Sequence, residues 1–325
     1  MLRGGNKWDR RIGRAHELAG HYPFAAEVLT FYSKLTAFQQ SFYSRLQSSA
    51  GAMSPGTSNG HLPPELSPRT LEVLTHQFRP LLSFLMREGT PALSAFARDL
   101  EKTGSSEWAQ LLARFWPRNE HGHEEPGLRN HEESAIRNEV PGKPVPPQTP
   151  AHFAGFDARL RGNDATQSDL PGDDSENLSR FIALAFLQTY AEYLAGRADV
   201  PKPVVRRPMC PFCGSKPLAG VLRPEGDGAK RSLVCSFCHV EWDYLRIACP
   251  ACQESRDDKM CVYIASQFEH VRLEACETCR TYLKAIDLTK NGLAVPEVDE
   301  IAAMPLTLWA DEKGYTKLCR NIFGS

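Results

Sequence analysis

No long apolar run occurs in this sequence of 325 residues. Its densest apolar stretch, Phe181 to Leu187, is bracketed by Arg180 and Gln188. Crossing a bilayer takes about 20 apolar residues, so no transmembrane helix is expected. The N-terminal MLRGGNKWDRRIGRAHELAG is basic but lacks the apolar core of a secretory signal. The Arg10-Arg11 pair is therefore not read as an export signal, and a cytoplasmic protein is expected. Charge of one sign is missing too. Lys and Arg number 38 against 39 Asp and Glu, a net charge of -1, which leaves no overall basic field to attract nucleic acid or acidic lipid. Nor does any nucleophile–base pair, Gly-rich phosphate loop or carboxylate dyad stand at a telling spacing, so catalysis by this chain is not expected.

What the chain does have is enough apolar content, 42% of residues against 24% charged, to build a sizeable core. Length suggests about two domains. Cysteine placement carries the most information. Eight of the ten cysteines form four Cys-x-x-Cys pairs: Cys210/Cys213, Cys235/Cys238, Cys249/Cys252 and Cys276/Cys279. In a reducing compartment, pairs confined to one region of a long chain read as metal ligands rather than disulfides.

The organisation follows from periodicity and punctuation. From Phe24, the positions Val28, Phe31, Leu35, Phe38, Phe42 and Leu46 recur at steps of three and four, one face of a helix. Residues 48–64 are rich in Ser, Gly and Pro and read as irregular. Ser67-Pro68 then supplies a cap and a first-turn proline for a helix striped by Leu71, Leu74, Phe78, Leu82 and Leu85, with a kink expected at Pro80 and a stop at Gly89. Thr90-Pro91 restarts a helix ending near Gly104, and a short helix is expected over Glu107 to Trp116. Residues 117–177 hold eight of the 24 prolines and six of the 23 glycines, a composition that predicts a long loop or partly disordered insertion, with a short helix near Phe153 to Leu160. Leu178 to Ala195 is apolar on nearly all sides and predicts a buried helix closing the helical domain. Arg197 to Pro208, with three prolines and four basic residues, reads as a linker.

Beyond it, short β-branched and aromatic runs replace the helical period. The expected fold is therefore α+β: an N-terminal all-α domain (1–204), then two tandem small-β rubredoxin-like or zinc-ribbon modules (205–247, and 248–325 with the C-terminal tail).

The spacings C-x2-C-x21-C-x2-C and C-x2-C-x23-C-x2-C make each half one tetrahedral site. Two cysteines three apart share one tight turn, and a hairpin returns a second knuckle opposite them. Gly214 suits the positive φ of such a turn, and Pro224 to Gly228 supplies the hairpin loop of the first half. Modules this small need metal to supply folding free energy. An interleaved arrangement, the first and third knuckles sharing an ion, is the alternative. Four thiolates suit Zn²⁺ or, rubredoxin-fashion, Fe, and spacing does not separate them. A closed four-thiolate shell leaves no position for water or substrate, which argues for a structural rather than hydrolytic ion.

Several residues have plainer readings. Cys261 and Cys319 read as buried structural thiols, His239 as a surface residue or one that orients a thiolate, and His121, His123 and His131 as solvated. Glu241-Trp242 and Arg272-x-Glu274 either stabilise the ribbons or form a partner surface.

Taken together, Cys210-Pro-Phe-Cys-Gly-Ser, Cys235-Ser-Phe-Cys with Glu241-Trp242 and Arg246, Cys249-x-x-Cys252, Tyr263, Arg272-x-Glu274-x-Cys276-x-x-Cys279 and Tyr282-Leu283-Lys284 resemble the formate dehydrogenase accessory protein FdhE family. Ala26 to Leu29, Phe31-Tyr32 and Gln39 look like its first helix, Leu187 to Ala195 like its last, and Asp299 to Ala302, Gly314-Tyr315 and Asn321 like its C-terminus. Glu300-Ile301 and Ile322 depart from the family's pattern. The resemblance implies a helical domain before two rubredoxin-like modules and no enzymatic activity. It also implies binding to the catalytic subunit of respiratory formate dehydrogenases in the cytoplasm, with iron the suspected metal.

Two other readings compete. A nucleic-acid-binding zinc ribbon would need a basic stripe, yet Lys202 to Lys290 holds 14 basic and 11 acidic residues, a net +3. A free-standing rubredoxin-type electron carrier leaves the helical part unexplained. Neither nucleic acid nor membrane is an expected partner, and a homodimer is left open.

Overall fold

The computed structural model describes residues 6–48, 66–117, 143–144 (backbone only), 174–198 and 207–325. Most of the segments read as irregular, the expected helix near Phe153 to Leu160, and His121, His123 and His131 lie outside the described residues.

The chain opens with a further helix, α1 (Lys7–His21), capped by Asn6, whose side-chain oxygen accepts from Trp8 N at 2.8 Å and Asp9 N at 3.0 Å. Its inward face is Trp8, Arg11, Arg14, Ala15 and Leu18. Two of those five are arginines, which share the buried face with the apolar stripe of Trp8, Ile12, Ala15 and Leu18. Helix α2 (Ala26–Ser48) follows a short 3-10 turn at Pro23–Ala25 and buries Val28, Leu35, Phe42 and Leu46 as its periodicity requires. Ser67 caps α3 (Pro68–Glu88), which runs on through Pro80, and Thr90 caps α4 (Pro91–Thr103). Then come α5 (Ser105–Phe115) and α6 (Asp174–Ala195).

Nearly every residue of α6 from Ile182 to Leu194 is buried, because other helices pack around it. Phe186 stacks on Phe42 with centroids 4.4 Å apart and meets Phe78 edge-on at 5.2 Å. Gln39 Nε2 donates to the Ala185 carbonyl oxygen at 2.8 Å, satisfying a polar group inside that contact. No helix among the described residues is long and apolar enough to cross a membrane.

The strands are β1 (Lys143–Pro144), β2 (Pro217–Glu225), β3 (Gly228–Cys235), β4 (Glu241–Asp243), β5 (Met260–Ile264), β6 (Val271–Cys276), β7 (Thr281–Asp287) and β8 (Thr316–Lys317). As the cysteine spacing predicts, β2–β3 and β6–β7 are antiparallel hairpins. The pattern does not predict that the two halves form one sheet, in the order β1-β5-β6-β7-β2-β3-β4 with β8 added to β7. The seam is a parallel pairing of β2 with β7, matching Gly220 to Ala285 and Leu222 to Asp287. Gly220 permits this close approach, since a Cβ at this position would lie 3.0 Å from Ala285 Cβ. Buried Arg231 on β3 spans the seam, its Nη2 donating to Glu274 Oε2 on β6 at 2.6 Å.

Two cores run through the described residues. One joins the inner faces of α2 to α6 to Cys210, Phe212, Cys213, Cys235, Phe237, Cys238 and Trp242 of the first ribbon. The other joins α1 and the start of α2 to the second ribbon and the helices α7 (Pro296–Ala302) and α8 (Met304–Glu312). Buried ion pairs support this second core. Arg14 Nη2 meets Asp299 Oδ1 at 2.5 Å, with His270 Nε2 2.7 Å from the same oxygen. Glu300, wholly buried, lies against Lys284 (2.9 Å) and Lys317, and accepts from Asn321 Nδ2 at 2.8 Å.

Candidate metal centres

The eight paired cysteines come together as two groups of four, Cys210/Cys213/Cys235/Cys238 and Cys249/Cys252/Cys276/Cys279, with the sulfurs of each group all within 4.8 Å of one another. The grouping is sequential, not interleaved. Each group joins a loop knuckle to the turn at the end of a strand. Cys210 and Cys213 precede β2, facing Cys235 at the end of β3 and Cys238 just beyond; Cys249 and Cys252 lie between β4 and β5, facing Cys276 at the end of β6 and Cys279 just beyond.

All four knuckles share one backbone device. The residue after the second cysteine is left-handed in each: Gly214 (φ 69°), His239 (φ 54°), Gln253 (φ 63°) and Arg280 (φ 58°). In three of them its amide closes the turn onto the carbonyl of the first cysteine, Gly214 N to Cys210 O at 3.0 Å, Gln253 N to Cys249 O at 2.9 Å and Arg280 N to Cys276 O at 2.9 Å. For a non-glycine residue this conformation costs about 1–2 kcal/mol. The reversal it produces turns backbone N–H groups toward sulfur: Cys213 N lies 3.5 Å from Cys210 Sγ, Phe237 N 3.3 Å from Cys235 Sγ, and Ala251 N 3.4 Å from Cys249 Sγ. Glycine made the first of these turns legible in the sequence. The other three carry no compositional mark, although their fixed place after each Cys-x-x-Cys locates them.

The donor set fits a tetrahedral ion. Sulfurs of facing knuckles are 3.5 Å (Cys210–Cys238), 3.3 Å (Cys213–Cys235), 3.7 Å (Cys249–Cys279) and 3.6 Å (Cys252–Cys276) apart. A tetrahedron with metal–sulfur bonds of about 2.3 Å has edges of about 3.8 Å. As bare thiols the first group is in conflict: burial drives Cys235 and Cys238 well above the ordinary thiol range, while bonds from its neighbours hold Cys213 well below it against the effect of its own burial. In the second group burial lifts Cys249, and Cys252 to about 11, whereas Thr281 brings Cys279, against its burial, down to about 7. A central cation that takes all four sulfurs as thiolates removes that conflict. Each group could hold a metal ion.

The surroundings differ sharply. At the first group all four cysteines are 0–2% exposed, beneath Trp116, whose ring meets Phe237 edge-on at 5.5 Å. Its second knuckle is pinned to α6: Gln188 Nε2 donates to the Ser236 carbonyl oxygen at 2.9 Å, and Glu192 Oε1 is 2.6 Å from His239 Nδ1. His239, expected at the surface or beside a thiolate, is instead only 13% exposed in its side chain and bonds a helix carboxylate. Glu192 also meets Arg11 at 2.8 Å and Lys7 at 2.5 Å. At the second group Cys249 and Cys276 are buried, Cys279 is half-buried and Cys252 is exposed.

The charged and aromatic residues beside the knuckles bond within the ribbons and the segment leading into them. Arg223 forks onto Glu241 at 2.7 and 2.6 Å, Trp242 Nε1 donates to the Arg207 carbonyl oxygen at 2.8 Å, and Arg272 pairs with Asp287 at 2.6 Å rather than with Glu274. Cys261 and Cys319 belong to neither sulfur group, and each is half-buried rather than buried.

Comparison with known proteins agrees with this architecture. Residues 209–246 match the FdhE central domain, and residues 247–323 match the FdhE C-terminal domain. By sequence, residues 209–323 of this chain are similar to the FdhE family. A protein FdhE homolog of Aquifex aeolicus is 35% identical over 151 residues, 46% of this chain and 53% of that one. A protein FdhE homolog of Pseudomonas aeruginosa is 35% identical over 151 residues, 44% of this chain and 48% of its own. The chain thus spans about half the length of these curated relatives. The crystal structure of the FdhE protein from Pseudomonas aeruginosa superposes with a TM-score of 0.58 at 22% identity, covering 97% of this chain and 94% of that one. At that identity the likeness is one of fold. The boundary between the two family domains falls between the two sulfur groups, so each domain carries one whole candidate centre.

Proposed function

We propose that this chain is a metal-loaded accessory factor for formate dehydrogenase, one that binds the catalytic subunit in the cytoplasm and is needed for active enzyme without being an enzyme itself. The observation that carries the reading is a pair of four-sulfur groups, each within a segment similar to an FdhE domain. Cys210, Cys213, Cys235 and Cys238 are the proposed ligands of one ion, and Cys249, Cys252, Cys276 and Cys279 of the other. Bound iron would add one-electron chemistry, and bound zinc a redox-silent staple. In either case the residues' own work is to hold the knuckles at fixed separation. With every sulfur committed to the ion, no coordination position is left for substrate, which favours a binding role over hydrolysis.

The test is an anaerobic pull-down of the catalytic subunit of the host's formate dehydrogenase, with metal content measured on the same preparations. Wild-type protein is expected to carry two ions and capture the subunit, and the Cys210→Ala/Cys213→Ala double variant to lose one ion and the capture. Failure of both proteins to capture the subunit would refute the accessory role.

A further inference from the structure

We propose that the two four-cysteine sites divide the labour: the second exchanges its ion with soft-donor ligands from outside, while the first keeps its ion for as long as the fold lasts. The proposal rests on reading both sulfur groups as metal sites. It deepens that reading by assigning the reactive role to Cys249, Cys252, Cys276 and Cys279.

The argument is one of access. A four-thiolate ion is lost when an incoming donor atom takes a coordination position and a cysteine sulfur leaves, picking up a proton from water. That exchange needs room for the newcomer and a ligand able to swing away. At the first site neither exists. Its four cysteines are 0–2% exposed, their sulfurs lie in the same core as Phe186, Tyr190 and Trp116, and the second knuckle is held at Ser236 and His239 by Gln188 and Glu192 of α6. Opening it means undocking a helix whose residues from Ile182 to Leu194 are almost all buried. The free energy of such an opening approaches that of global unfolding.

The second site has two faces. Cys249 and Cys276 are buried, and the knuckle base is tied inward by Arg231 Nη1 to the Ala248 carbonyl oxygen at 3.4 Å and by Tyr244 Oη to the Cys249 carbonyl oxygen at 3.4 Å. Its outer face is Ala251, Cys252, Gln253 and Thr278, all exposed, with Cys279 half-buried beside them. An incoming thiolate or nitrogen donor therefore meets Cys252 first. Cys252 is the leaving ligand, and Cys249 and Cys276 keep their half of the site in place for reloading. Exchange at this site requires no change in the sheet.

The experiment uses full-length protein loaded anaerobically with two equivalents of Zn²⁺ and challenged with excess 4-(2-pyridylazo)resorcinol, the zinc complex being followed by absorbance. One equivalent is expected to leave in a fast phase, and the second at least about tenfold more slowly, catching up only when denaturant is added. Cys252→Ser is expected to abolish the fast phase and leave the slow one intact. Should that variant fold poorly, alkylation of the loaded wild type with iodoacetamide, mapped by mass spectrometry, makes the same assignment: Cys252 and then Cys279 are labelled before any cysteine of the first site. Release of both equivalents in one phase, or early labelling of Cys210, Cys213, Cys235 or Cys238, would overturn the division of labour. Protein that takes up no zinc under any loading condition would instead overturn the metal-site reading, and this proposal with it.

Discussion

Glu192 of α6 is where the N-terminal helix, the central helix and the first cysteine site are tied together, and replacing it by glutamine tests that role. The carboxylate is buried and faces three cationic or potentially cationic groups: Arg11 at 2.8 Å, His239 at 2.6 Å and Lys7 at 2.5 Å. Against the cost of burial, Arg11 and His239 hold its pKa well below the ordinary carboxylate range. Removing one partner of a buried ion pair costs about 3–5 kcal/mol. Two features bring the figure to the low end for Glu192→Gln. Arg11 keeps its second partner, Glu297, and the Lys7 side chain is 43% exposed, so its pair with Glu192 adds little. A loss of about 3 kcal/mol is roughly a hundredfold in the folding equilibrium, and about 4–5 °C in melting temperature for a chain of this size. Because the folded pKa is depressed, this stabilisation is complete above the unfolded carboxylate value of about 4.3 and is lost as pH falls below it. Thermal denaturation of the zinc-loaded protein should therefore show a wide gap between wild type and variant at pH 7 that narrows below about pH 4.3. A gap under about 1 kcal/mol at pH 7, or one that persists unchanged into acid, would refute the coupling.

Three further outcomes follow from particular contacts. Gly220→Ala places a methyl 3.0 Å from Ala285 Cβ and should cost about 1–3 kcal/mol by urea denaturation, with Ala285→Gly in the same chain recovering most of the loss. Glu300, which despite its burial is held at about 2 by Lys284 and Lys317, stabilises above the unfolded value of about 4.3 and loses that contribution as pH falls toward about 2. Glu300→Gln should accordingly lower the urea midpoint at pH 7 and flatten the acid limb of the stability profile. Gly214→Ala, at φ 69°, should cost about 1–2 kcal/mol, read as weaker zinc retention at the first site, whereas Gln253→Gly, at φ 63°, should be neutral or mildly stabilising.

Much of this molecule is readable from its residues, and what escapes does so for definite reasons. Helices α2 to α6 announce themselves through apolar periodicity and through Ser67-Pro68 and Thr90-Pro91, whose capping side chains accept from Thr70 N and Leu93 N. The sulfur groups follow from the Cys-x-x-Cys spacing because a knuckle and a hairpin are both local structures. Helix α1 carries a readable stripe as well, Trp8, Ile12, Ala15 and Leu18 behind the Asn6 cap, and what local pattern does not show is that Arg11 and Arg14 on its inner face find Glu192, Glu297 and Asp299 at separations of up to 286 residues. A periodicity that counts apolar residues finds this helix but places those two arginines in solvent. The parallel seam between β2 and β7 is hidden for the complementary reason. Gly220 in a strand weakens the local signal, and its purpose shows only once Ala285 lies opposite it. The same distance effect separates Arg272 from the neighbouring Glu274 and gives each a partner that sequence proximity does not suggest, Asp287 and Arg231 respectively.

These hidden contacts also bear on why about two hundred residues precede the ribbons. A carrier whose ribbons worked alone would have its four-sulfur groups in similar surroundings, each bounded by its own hairpin. The first group instead shares a core with α2 to α6, is locked by Gln188 and Glu192, and through Glu192 depends on α1, which packs with the second ribbon and α7 in the other core. Among the described residues, helices, first site and second ribbon are thus linked by contacts, while the outer face of the second site, at Cys252, is exposed. On the division of labour proposed above, the helical region is what shields the first group. Excising it should expose the first group as fully as the second and erase any difference in their rates of zinc release.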